Sequence, residues 1–61
     1  MTNGYYVVMA QVSYPGEKVL TYEEYTGKRW PLDQELEAQE ELWDARHDGE
    51  VEDAYLKEVI L

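Results

Sequence analysis

The sequence predicts an α+β domain of the form β-β-α-β: a three-stranded antiparallel sheet in order 2-1-3 with one helix packed on one face. Three observations carry that expectation. Residues 5–14 are almost continuously apolar and rich in β-branched and aromatic types. Residues 33–48 lack proline and carry good helix formers, acids early and Arg46 late. The tail ends in the β-branched pair Val59-Ile60, and a hairpin needs a third strand to form a stable sheet. The 61 residues form one domain, 1–61. A chain of this length buries only about 60% of the surface it exposes when unfolded, so its core is thin.

Along the first strand, Tyr6, Val8, Ala10, Val12 and Tyr14 line one face and Tyr5, Val7 and Met9 the other. A strand apolar on both faces belongs in the centre of a sheet. Pro15-Gly16 marks a turn, because Pro presets φ and Gly accepts a positive φ. Residues 18–25 read as the returning strand, with Glu23 and Glu24 supplying the charge expected of an edge. Gly27 through Pro31 then leads the chain out of the strand.

The helix is expected over 33–48, with Asp33 as N-cap and Gly49 as a left-handed C-cap. At about 100° per residue, Leu36 and Trp43 share a meridian with Leu42 beside it, and that stripe is expected to lie on the sheet. The tail admits two readings: a helix would align Val51, Tyr55 and Val59, whereas a strand completes the sheet. The strand is preferred.

Composition narrows the function classes. Fourteen acidic residues against five basic ones give a formal charge of −9. That excludes direct nucleic-acid binding through phosphates and docking on an anionic membrane surface. A hydrophobic content of 44%, with two Trp and six Tyr, separates the chain from disordered acidic segments. No apolar run approaches the roughly 20 residues of a membrane helix, and Met1 through Tyr6 lacks a basic signal-peptide start. The expected location is cytoplasmic.

Catalysis finds little support. The chain has no Cys, and Ser13 and His47 fall on different elements outside any nucleophile motif. Isolated glycines build no phosphate loop. Glu40, Asp44 and His47 share a helical spacing suited to metal ligation, and 44–49 echoes part of a calcium loop. Arg46 and Tyr55 occupy ligand positions of that loop, so neither metal nor cofactor is expected.

Two surfaces remain. Glu37, Glu41, Asp44 and Asp48 follow i, i+4, i+7, i+11, with Glu40 and Asp33 beside them, and stack into an acidic ridge. Such a ridge suits a basic groove, including one meant for phosphates. The leading expectation is therefore a non-catalytic binding module that docks on a basic protein, in the manner of the inhibitors and nucleic-acid mimics carried by mobile elements. The alternative is an assembly protein that forms a homodimer through the uncovered sheet face, with Tyr5, Val7, Met9 and Tyr22, or their opposites, in contact. The β-β-α-β outline alone points to no family.

Overall fold

The computed structural model describes residues 3–12, 14, 16 and 21–61. Among the described residues there are three strands, β1 (Gly4–Val12), β2 (Tyr22–Pro31) and β3 (Val51–Ile60), and one α-helix, α1 (Glu35–Arg46). The sheet has the order β2-β1-β3, with both pairings antiparallel, as the sequence predicts. The tail is a strand. Val7, Val8 and Ala10 are all buried, in keeping with a central β1. The expected hairpin register at Val19 and Leu20, and Pro15 of the turn, lie outside the described residues. Gly16 does adopt a positive φ of 83°.

The second strand lies further along the chain than expected. Tyr5, Tyr6 and Val7 pair with Pro31, Trp30 and Arg29, and Met9, Ala10 and Gln11 pair with Glu24, Glu23 and Tyr22. Residues 25–28 therefore stand opposite Val8 alone, in a wide bulge. Gly27 takes φ 78° there, and the Thr26 hydroxyl accepts the Lys28 N–H at 3.3 Å. Gly27 thus marks a bulge within β2 rather than its end, so 27–31 belongs to the strand.

Both helix caps differ from expectation. Pro31, with φ −55° and ψ 154°, ends β2 and feeds a single 3-10 turn over Leu32–Gln34. Asp33 is already inside that turn, so Gln34 occupies the N-cap position, without a side-chain cap. At the other end the C-cap is His47, whose N–H reaches the carbonyls of Trp43 and Asp44. Gly49 has no positive φ. Asp48 makes the exit turn instead: its carboxylate accepts the Glu50 N–H at 2.9 Å and its carbonyl the Val51 N–H at 3.1 Å.

The phase of α1 is the main correction. Ala38, Leu42 and Ala45 are buried, whereas Leu36 and Trp43 are 79% and 61% exposed. Leu42 and Ala45 pack with Val8, Ala10 and Ala54, and Val12, Tyr25, Val51 and Leu56 close the cluster. Small residues on both sides bring helix and sheet close together and leave no room for an indole. Polar contacts on each flank fix the rotation. Glu41 reaches β2 through Thr26 and Trp30, and Arg46 Nε donates to the Ala54 carbonyl of β3 at 3.2 Å. Helical geometry sets Glu41 and Arg46 on opposite sides of the Leu42/Ala45 stripe.

Leu42→Ala is expected to cost about 2–5 kcal/mol, enough to leave so small a domain largely unfolded. Trp43→Ala should melt close to wild type. Thermal unfolding followed by circular dichroism separates the two. In the same assay Gly4→Ala should also be strongly destabilised, because its Cβ would collide with the Val59 carbonyl oxygen across the β1–β3 ladder.

Candidate protein-binding surface

The helix presents its acids in two ways. Glu41 and Asp48, expected on a solvent-facing ridge, are half-buried and turned towards β2. The Thr26 hydroxyl donates to Glu41 Oε1 at 2.5 Å and the Trp30 indole N–H to Oε2 at 3.3 Å. The Tyr25 hydroxyl donates to Asp48 Oδ2 at 2.8 Å. Glu37, Glu40 and Asp44 remain exposed.

The outermost line of α1 is a different ridge. Leu36, Glu40, Trp43 and His47 follow i, i+4, i+7 and i+11, which stacks them along one meridian. The Trp43 and His47 rings stack with centroids 3.8 Å apart at 25°, and His47 Nδ1 lies 2.7 Å from the Trp43 carbonyl. Glu37 and Asp44 flank this line on the β2 side. An exposed leucine and an exposed indole thus sit among carboxylates. Sequence reasoning placed both against the sheet. The competing signal was present in Ala38, Leu42 and Ala45, which repeat at i, i+4 and i+7.

The face of the sheet away from the helix carries Tyr5, Val7, Met9 and Tyr22 together, as the register requires. Val7 is only 2% exposed, Tyr5 and Met9 are half-buried, and Tyr22 is 42% exposed. Its cross-strand neighbours are Arg29 and Lys57 on either side of Val7. Arg29 lies over the Tyr5 ring at 4.7 Å and pairs with Glu24 at 3.4 Å. The Tyr22 hydroxyl donates to Asp53 at 2.5 Å, and its ring meets Tyr55 edge-on at 5.1 Å. The chain's own polar side chains therefore cover much of this face.

Among the described residues, no three or more His, Asp or Glu side chains are grouped to hold a metal ion. No helix in the described residues is long and apolar enough to cross a membrane. Comparison with protein-family models, with curated proteins and with solved structures finds no match to this chain.

Hydrogen bonding shifts several acidities. The Glu50 N–H and then the Tyr25 hydroxyl hold the Asp48 carboxyl below its ordinary value of 3.8. The bond to Asp48, followed by burial, raises Tyr25 above 10.0, and the bond to Asp53 raises Tyr22. Tyr6 is raised by burial first and then by the Glu35 and Glu58 carboxylates. A depressed carboxyl stabilises the fold above its unfolded pKa and loses that contribution as pH falls through the folded value. A raised tyrosine stabilises below its unfolded pKa and loses its contribution as pH climbs through the folded one.

Asp48→Asn keeps an acceptor for Tyr25 but removes the titration. Its melting temperature should lie below wild type by a constant margin above about pH 4, and the margin should shrink at lower pH. On the alkaline side, Tyr25→Phe should reduce the wild type's loss of stability beyond about pH 10. Melts across the two pH ranges check both.

Proposed function

We infer that the chain is a non-catalytic protein-binding module that docks the outer face of α1 on a basic surface of another protein and blocks or modulates it. One observation carries this reading: Trp43 is 61% exposed on a helix whose neighbouring surface is acidic. Tryptophan is the residue type most enriched among binding hot spots. Leu36, one helical stretch away on the same meridian, supplies a second apolar anchor. Glu37, Glu40 and Asp44 would form the polar rim, which steers association and selects a partner of positive charge.

The matching surface is an apolar cleft edged by Lys or Arg. A groove built for nucleic-acid phosphates has that chemistry, which keeps the nucleic-acid-mimic reading open to test. A second copy fits this face poorly, since the same carboxylates would meet across the two-fold axis and each chain carries a formal charge of −9. The sheet face offers less for docking, because Val7 is buried and Tyr5 already carries Arg29.

Capture from lysate by the immobilised chain, at low and then raised salt, tests the proposal. Wild type should retain a basic protein in a salt-sensitive manner. Trp43→Ala should weaken that capture by about 2 kcal/mol or more, as expected of a hot spot. The triple change Glu37→Gln, Glu40→Gln and Asp44→Asn should weaken it by roughly 0.5–1 kcal/mol per carboxylate and flatten its salt dependence. Retention of the same proteins by all three chains would overturn the assignment.

A further inference from the structure

One face of the Trp43 indole is already occupied. The His47 ring stacks on it, with centroids 3.8 Å apart and planes 25° from parallel. His47 is anchored in turn to the backbone of the residue it covers. Its Nδ1 lies 2.7 Å from the Trp43 carbonyl, which can only accept, so Nδ1 carries the proton there. As the C-cap of α1, its backbone N–H reaches the carbonyls of Trp43 and Asp44 as well. Imidazole and indole are thus tied to one turn, and an exposed tryptophan is held as a fixed plate. Such a side chain loses little rotamer freedom when a partner docks.

The placing of His47 decides which face remains. Helical side chains lean towards the N-terminus, so His47 covers the face of Trp43 turned to the end of α1. The bare face looks back along the meridian to Glu40, whose Cβ stands about 5–6 Å from that of Trp43. The indole and the Glu40 side chain therefore enclose a slot that opens to solvent. Glu40 is exposed and has no hydrogen-bond partner among the described residues. The chain covers other rings with its own cations: Lys28 lies 4.2 Å from the Trp30 centroid and Arg29 4.7 Å from that of Tyr5. Arg46 is turned to Ala54 of β3, and Lys57 stands on the far sheet face. None of these described cations reaches Trp43.

We propose that this slot takes one arginine side chain of the basic partner, with its guanidinium stacked on the bare face of Trp43 and hydrogen-bonded to Glu40. The proposal rests on the docking role inferred above and names the group which that role recognises. Indole offers cations the best aromatic face. Arginine and lysine can both use it. Only a planar guanidinium lies flat on the ring while its edge donates paired N–H bonds to a carboxylate. Leu36, one turn beyond Glu40, is placed to meet the methylene stem. His47 is a positioning residue: it fixes the indole and blocks the other face.

Tetra-arginine amide and tetralysine amide, titrated at low salt into the nitrogen-labelled chain, test the slot. The Trp43 indole N–H resonance, identified by its absence in Trp43→Ala, should shift saturably with both. Tetra-arginine should bind roughly threefold or more tighter than tetralysine. Glu40→Gln should abolish that preference, whereas Glu37→Gln, which removes the same charge from the flank, should keep it. The chain has a single histidine, so the ring-current shift of its C–H protons reads the stack directly. That shift should be lost in Trp43→Ala. His47→Ala should weaken tetra-arginine binding roughly threefold, and His47→Phe, which restores a ring against the indole, should recover it. A Trp43 resonance that does not move, equal affinity for the two peptides, or the same loss of preference in Glu37→Gln and Glu40→Gln would overturn the slot. A His47→Ala chain that binds tetra-arginine as wild type does would overturn the positioning role. None of these results touches the docking role itself, which Trp43→Ala decides in the capture from lysate.

Discussion

Hydrogen bonds from neutral donors to carboxylates hold this structure in shape. Fourteen acids share five basic residues in the chain, so ion pairing cannot satisfy most of them. Tyr25 and Glu50 serve Asp48, Thr26 and Trp30 serve Glu41, Tyr22 serves Asp53, and Tyr14 serves Glu23. A hydroxyl or indole N–H can do this without bringing a second ion out of water. Three of these donors, Tyr25, Thr26 and Trp30, lie on β2 and meet the helix and its exit turn along one seam. The bulge at 25–28 sets Tyr25 and Thr26 into that seam, and the seam in turn helps fix the rotation of α1. The outward position of Trp43 follows from that rotation.

The distribution of charge has the same origin. Glu41 and Asp48 are engaged by β2, whereas the exposed Glu37, Glu40 and Asp44 lie on or beside the outermost line of α1. Among the described residues, Arg29 and Lys57 lie on the opposite sheet face, Arg46 beside β3, and Lys28 over the Trp30 ring on the β2 flank of the helix. The outer line of α1 is therefore acidic and apolar, whereas the opposite sheet face carries Arg29 and Lys57. A net charge of −9 describes neither.

Much of the topology was legible in the sequence. A first strand apolar on both faces belongs in the middle, and that placement alone gives the order 2-1-3 once the tail is a strand. The phase of the helix was not legible from hydrophobicity. Leu36 and Trp43 outweigh Ala38 and Ala45 on any scale of side-chain apolarity, yet the floor of Val8, Ala10 and Ala54 favours the smaller pair. The limits of β2 were hidden for a related reason. Gly27 reads locally as a break, and only the pairing of Arg29 and Trp30 with β1 reveals that the strand continues past it. In the candidate surface, the exposed Glu37, Glu40 and Asp44 could be read directly. The apolar anchors among them could not, because their exposure depends on contacts made by the other side of the helix.

The small-residue floor beneath α1 also separates folding from recognition. Ala38, Leu42 and Ala45 carry the packing, so the outer positions of the same helix are nearly free of structural duty. Selection can rewrite Leu36, Glu40 or Trp43 one at a time without passing through unfolded intermediates. A lineage pursuing a changing target could keep this scaffold and exchange only its outward alphabet. The same property makes the helix a ready graft site for a designer.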